Sequence, residues 1–180
     1  MKNRFVFLDR DGVINRDSAD YIKSPEEWQP LPGSLEAIAA LCQAGEQIAI
    51  ITNQSGVNRQ LFDLNTLQKI HQKMLNAIEA HGGKIEKIYF CPHHPDENCT
   101  CRKPGTGMLE QCQDDFDPDF SKSYLIGDSL KDLQAGLAMG CRIILVKTGN
   151  GQKTLSSQAP ELERAVIVDD LAAAVRYILE

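Results

Sequence analysis

The sequence predicts an α/β protein, a doubly wound parallel sheet with helices on both faces. Short, unbroken apolar runs of the kind found in strands buried on both sides recur from Phe5 to Val168. Stretches with apolar residues at helical spacing lie between them, so strands and helices alternate along the whole chain. Four of the runs end near Asp9, Thr52, Cys91 and Asp128, and such sheets bind ligands beyond the carboxyl ends of their strands.

The first strand is expected over residues 4–8, where Phe5-Val6-Phe7-Leu8 stops abruptly at Asp9-Arg10-Asp11-Gly12. Residues 11–32 read as a polar loop packed over something, with Trp28 as its anchor. Gly33-Ser34 opens a helix carrying Leu35, Ile38, Leu41 and Cys42 on one stripe, with Ser34 as N-cap and Gly45 as terminator. A second strand covers residues 47–51 and runs into Thr52-Asn53-Gln54-Ser55-Gly56. Residues 63–81 form a longer helix whose Leu64, Leu67, Ile70, Met74 and Ile78 face the core. His71 and His81 fall on this helix and receive no role. A strand over 85–90 leads to Cys91 and a loop ending at Lys103-Pro104-Gly105. A short helix over 108–113 precedes an acidic turn over 114–119. Beyond it come a strand over 123–126, a helix over 130–139, strands over 142–146 and 165–168, and a last helix over 171–179 capped by Asp169 or Asp170.

The composition narrows the function classes. With 180 residues the chain suits one domain, spanning 1–180, with a sizeable core. Its net charge of -6 argues against a nucleic-acid surface. No apolar run approaches the length of a membrane span, and the first strand follows Met1-Lys2-Asn3 too closely for a signal peptide. The expected location is cytoplasmic, where six cysteines read as thiols or metal ligands rather than disulfides.

Asp9 and Asp11 leave a strand two residues apart, so one carboxylate can serve as nucleophile and the other as general acid and base. Asp128 brings a third acid, and three crowded carboxylates repel unless a cation lies among them. Hard oxygen ligands suit Mg²⁺. Thr52 offers a hydroxyl donor and Lys103 a compact positive charge, which together suit a phosphoryl group in transit.

A second constellation lies in Cys91-Pro92-His93-His94-Pro95-Asp96-Glu97-Asn98-Cys99-Thr100-Cys101. Thiolates with an imidazole suit tetrahedral Zn²⁺, and Cys91, His93, Cys99 and Cys101 make a closed, structural set with His94 spare. Folding this loop on zinc would aim Arg102 and Lys103 at the phosphate. Cys42, Cys112 and Cys141 read as core packing.

Asp9-Arg10-Asp11-Gly12, Thr52-Asn53, Arg102-Lys103-Pro104 and Gly127-Asp128 with Asp132 resemble, in order and across most of the chain, the four signatures of haloacid dehalogenase superfamily phosphatases. The resemblance implies a Rossmann-like core and an aspartyl-phosphate formed on Asp9. It gives Asp11 proton transfer to the leaving oxygen and from water, and Thr52 and Lys103 stabilisation of the phosphoryl group. Mg²⁺ would be held by the carboxylates of Asp9 and Asp128 and the backbone carbonyl of Asp11. Asp132 would position Lys103 or a metal-bound water; equally, it reads as an exposed helix acid.

The zinc loop narrows the resemblance to a branch without a large cap domain. Its members remove the C7 phosphate of heptose 1,7-bisphosphate, on the way to the nucleotide-activated heptose of lipopolysaccharide core, or dephosphorylate histidinol phosphate. Tyr21 through Trp28, Thr52 through Gly56 and Cys91 through Pro95 favour the sugar bisphosphate; the short zinc loop is shared with the histidinol branch. By the same resemblance Asp17 and Asp20 face sugar hydroxyls and Arg102 the second phosphate. Asn53 counts among the substrate-binding residues, and the segment with Gln54, Ser55 and Arg59 offers backbone donors and a cation to a second phosphate, although Arg59 reads equally as a surface charge. Ser129 departs from a lysine found in some relatives, and Lys131 compensates or faces solvent. The partner is a small sugar bisphosphate and the expected state a monomer. A phosphotransferase and a non-catalytic zinc module are the competing classes; the second has no need of Asp9, Asp11 and Asp128 together.

Overall fold

The computed structural model describes residues 3–180. The reading of the chain start as too short for a leader rests partly on Met1 and Lys2, outside the described residues. Six strands, Phe5–Leu8 (β1), Gln47–Asn53 (β2), Lys87–Cys91 (β3), Tyr124–Gly127 (β4), Arg142–Val146 (β5) and Ala165–Val168 (β6), form one sheet. Every pairing is parallel and the spatial order is β3-β2-β1-β4-β5-β6. The chain builds outward from β1 to β3, then crosses back and builds the other way from β4. Connections leaving β1 and β4 therefore diverge, and a crevice opens at their carboxyl ends. Leu8 is in register with Ile50 on one side and Ile126 on the other, so the segments leaving these three strands emerge at one edge of the sheet.

The helices are Ser34–Gln43 (α1), Leu64–Ala80 (α2), Gly107–Phe116 (α3), Leu130–Ala138 (α4), Gly151–Ser156 (α5) and Leu171–Leu179 (α6). Alternate residues of each strand point to opposite faces. Val6, Leu8, Ile48 and Ile50 pack with Ile38, Met74 and Val175 of α1, α2 and α6. Phe5, Phe7, Ala49 and Ile51 pack with Leu109 and Ala135 of α3 and α4, and Leu155 of α5 packs against a cluster of Leu133, Ile143 and Leu145. Each fully buried Leu, Ile or Phe contributes about 1.5–3 kcal/mol relative to exposure. Among the described residues, no inserted domain rises over the carboxyl edge, and no helix is long and apolar enough to cross a membrane.

Local readings differ in several places. Ser34 does not cap α1: Gly33, at φ +76°, holds that position, and the Ser34 hydroxyl donates instead to Ile14 O at 2.7 Å. β2 continues through Thr52 and Asn53 because β3 pairs with both. α3 continues through the acidic residues 114–115 to Phe116. Residues 11–32 are more than a loop. They carry a 3-10 turn at Pro25–Glu27, bridges from Asn15 to Asp11 and Pro30, and a buried Trp28 that anchors them as expected. α5 has no counterpart among the elements expected from the sequence.

Candidate active site

The crevice at the switch point is a cleft of about 350 Å³ whose walls include Asp9, Asp11, Asp17, Asn53, Lys103 and Asp128. Lys103 is 3% exposed, and a lysine so buried needs compensation. Its Nζ lies 3.0 Å from Asp9 Oδ1 and 2.6 Å from Asp132 Oδ1, and donates to Ile51 O at 2.8 Å. Burial alone would lower the Lys103 pKa; Asp132 and Asp9 outweigh it and hold the ammonium charged. Asn53 fixes the backbone of the same residue. Its Nδ2 donates to Lys103 O at 3.1 Å and its Oδ1 accepts from Lys103 N–H at 3.0 Å. Asp132, fully buried, uses its other oxygen to accept from Ser129 N–H and Oγ, which caps α4. Asp132 is therefore no exposed helix acid; it holds Lys103.

Asp11 faces away from Asp9's partners. Arg10 Nε donates to Asp11 Oδ1 at 3.1 Å and Nη2 at 2.9 Å; Asn15 Nδ2 donates to the same oxygen at 2.9 Å. Gln54 Nε2 donates to Asp11 Oδ2 at 2.9 Å and to Thr52 Oγ1 at 2.8 Å. Burial pushes Asp11 up, but the Arg10 charge and these bonds outweigh it and lower its pKa. The three carboxylates that converge are thus Asp9, Asp128 and Asp132, not Asp9, Asp11 and Asp128.

Asp128 is held by a segment beyond β5 to which the sequence assigned no role. Asn150 N–H donates to Asp128 Oδ2 at 2.7 Å, Thr154 Oγ1 donates to Asp128 O at 2.8 Å, and Thr148 Oγ1 donates to Gly12 O at 2.7 Å. Gly12 and Gly149 press on the carboxylate. Both have positive φ, and a Cβ on either would lie 2.1 or 2.2 Å from Asp128 Oδ2. A signal was present: Thr148-Gly149-Asn150-Gly151 comes just after a strand, as the other site segments do.

Oxygens of Asp9, Asp128 and Asp132 lie within 4.8 Å of one another. Burial first, and then Asp132, push Asp9 well above the usual carboxylate range and Asp128 up to about 7. Crowded hard oxygens in a cradle that only glycines permit fit a divalent cation such as Mg²⁺, held by Asp9 and Asp128. The second cluster fits zinc. Cys91, Cys99 and Cys101 Sγ and His93 Nδ1 lie within 4.8 Å of one another, with His93 Nδ1 3.4 Å from Cys91 Sγ and 3.2 Å from Cys101 Sγ. Four such ligands make a full set for Zn²⁺ and leave no open position. His94 is not among them; it caps a 3-10 turn at Pro95–Glu97.

The remaining expected substrate residues separate. Asp17 lines the cleft and accepts from Asn150 Nδ2 at 2.8 Å. Asp20 is exposed and is not among the residues of the cleft wall. Nor are Ser55 and Arg59. Ser55 Oγ accepts from Arg59 Nε at 3.3 Å, and the Arg59 guanidinium lies 5.9 Å from the Tyr21 ring centroid, bridging two loops. Thr52 is fully buried beneath Gln54. Arg102 lies beside the cleft rather than in it, in a neighbouring depression with Lys103 and Lys131.

A HAD-hydrolase-like family model matches residues 100–174. The D-glycero-β-D-manno-heptose-1,7-bisphosphate 7-phosphatase of Pseudomonas aeruginosa is 46% identical over 180 residues, covering 100% of both chains. The enzyme of that name from Bordetella bronchiseptica is 48% identical over 98% of each. The crystal structure of the D,D-heptose 1,7-bisphosphate phosphatase from B. bronchiseptica, complexed with magnesium and phosphate, superposes with a TM-score of 0.94 over 98% of each chain. The Burkholderia thailandensis phosphatase of the same name superposes at 0.78, with 42% identity and 99% of each chain covered. The chain belongs to the heptose-1,7-bisphosphate 7-phosphatase family of HAD-like hydrolases.

Proposed function

We propose that this chain hydrolyses the C7 phosphate of D-glycero-β-D-manno-heptose 1,7-bisphosphate with Mg²⁺, as one catalytic unit. The products are inorganic phosphate and a heptose 1-phosphate, a precursor of nucleotide-activated heptose. The observation that carries the reading is Asp9 Oδ1 held 3.0 Å from Lys103 Nζ beside Asp128, at the switch point of the sheet. The names of its relatives supply the sugar and its β anomer.

An Asp9 oxygen attacks phosphorus and the bond from phosphorus to the C7 oxygen breaks. Asp11, ionised in the resting site by its lowered pKa, first takes up a proton; it gives that proton to the C7 oxygen, then takes one from the water that attacks the aspartyl-phosphate and frees Asp9. Lys103 neutralises charge on the transferring group. Thr52 accepts from Gln54, which leaves its own O–H to donate to a phosphoryl oxygen. Mg²⁺, held by Asp9, Asp128 and the Asp11 carbonyl, offsets carboxylate repulsion and polarises the phosphoryl group. Asn53 and Gln54 line the cleft, where they hold Lys103 and Asp11 and can also meet the substrate. Asp17 meets sugar hydroxyls, and Arg102 with Lys131 receives the C1 phosphate beside the cleft. The reading extends to a monomer in the cytoplasm, where six free cysteines suit a reducing compartment.

Steady-state assays on both anomers of heptose 1,7-bisphosphate, fructose 1,6-bisphosphate and histidinol phosphate test this. The β heptose bisphosphate should have the largest kcat/KM. Preference for histidinol phosphate, or phosphoryl transfer to a sugar without phosphate release, would overturn it.

A further inference from the structure

Arg10 separates the two acids and takes no covalent part in the hydrolysis. Its side chain is 1% exposed. Nε and Nη2 face Asp11, while Nη1 points the other way and meets His71 Nε2 at 3.2 Å. A guanidinium can only donate, so Nε2 must accept and the imidazole must be neutral with its proton on Nδ1. Burial first, and then the Arg10 charge, push His71 down to about 3, consistent with that form. His71 is 7% exposed on α2, an element otherwise remote from the cleft, and its ring packs edge-on 6.1 Å from Phe90. A buried histidine serving only as filler would not aim its lone pair at the one guanidinium that holds Asp11.

We propose that His71 is a positioning residue for proton transfer: its Nε2 fixes Arg10, and Arg10 fixes the direction of the Asp11 carboxyl. This rests on the reading of Asp11 as acid and base. Without the acceptor, Arg10 Nη1 loses the side-chain partner that holds it. The guanidinium must then turn toward another acceptor, and Asp11 turns with it. Asn15 and Gln54 hold Asp11 from its other sides, so the carboxyl is misdirected rather than released.

The test compares His71→Leu, which removes the acceptor, with His71→Gln, which restores an oxygen. The substrates are heptose bisphosphate, whose sugar oxygen needs a proton to leave, and p-nitrophenyl phosphate, whose phenolate does not. We expect His71→Leu to lower kcat/KM about tenfold or more on the sugar and less than about threefold on the aryl ester. Inhibition by inorganic phosphate should not change, and His71→Gln should recover most of the loss. Equal losses on both substrates, or a folded His71→Leu protein with full sugar activity, would overturn the proposal. If His71→Leu does not fold, His71→Asn, too short to reach Nη1, takes its place with the same expectations. Asp11→Asn separates the two readings. If it fails to discriminate between the substrates, the acid–base assignment of Asp11 falls; if it discriminates and the His71 variants do not, only the role of His71 falls.

Discussion

A lysine ammonium removed from water is costly unless its charge is compensated, and the compensation here decides where the lysine sits. Lys103 has two carboxylates and a carbonyl around Nζ, and of the two acids only Asp132 is fully buried. Asp132 is therefore the fixed partner, and Asp9 the one that a phosphoryl group can draw away. Removing one member of a buried ion pair leaves the other uncompensated, at a typical cost of about 3–5 kcal/mol. Asp132→Ala should lower the unfolding free energy, measured by urea titration, by an amount of that order and kcat by at least about tenfold, because Lys103 then closes on Asp9 instead of facing substrate. A variant with unchanged stability and rate would show that Lys103 is held by Asp9 and Ile51 alone. Asp9 and Asp128 were visible in the sequence because they follow strand ends, and Lys103 because it stands in Arg102-Lys103-Pro104 just after the zinc loop. Arg10, His71 and Asn15 were not, because each works through a neighbour, and only folding brings α2 to the back of Arg10.

Among the elements, the zinc loop has an anchor at each end. Cys91 ends β3, and Lys103 is clamped through its backbone by Asn53 in β2. The ligands Cys99 and Cys101 sit just before the lysine, so metal binding shortens the free chain between the anchors. Removal of zinc with a strong chelator should release one equivalent of metal and open residues 92–102 to proteolysis. The Asn53 clamp remains, so kcat should fall only roughly tenfold, a loss typical of a loosened active-site group. Full activity at zero zinc content would refute this coupling. The strands were legible as unbroken apolar runs, and the long helices by their period of 3.6 residues. α5 was not: Gly151-Gln152-Lys153-Thr154-Leu155-Ser156 is too short and polar to show one. Its site segment is recognisable only by position, as the turn after a strand whose glycines make room for Asp128. Asp20, Ser55 and Arg59, expected at the substrate, are not among the residues of the cleft wall.

For the molecule as a whole, parallel pairing in the order β3-β2-β1-β4-β5-β6 forces the acids to one edge and leaves them buried in a chain of net charge -6. Buried ionisable groups make global stability depend on pH, and His71 gives a separable part of that dependence. Its pKa is about 3 in the folded chain against an ordinary 6.5. Between these values the unfolded chain holds the proton and the folded chain does not, so stability rises with pH. The contribution is complete above about 6.5 and is lost progressively as the pH falls toward about 3, at no more than about 1.4 kcal/mol per unit. Asp11, with its lowered pKa, adds a loss of the same sign at lower pH, while Asp9 and Asp128, raised by burial, act in the opposite sense. Comparison of the wild type with His71→Gln cancels the carboxylates. Urea midpoints of the two should diverge as the pH falls from 7 to 4, with the wild type losing stability faster. Parallel curves across that window would mean that His71 takes up its proton within the folded chain, and that its bond to Arg10 breaks without cost to the fold.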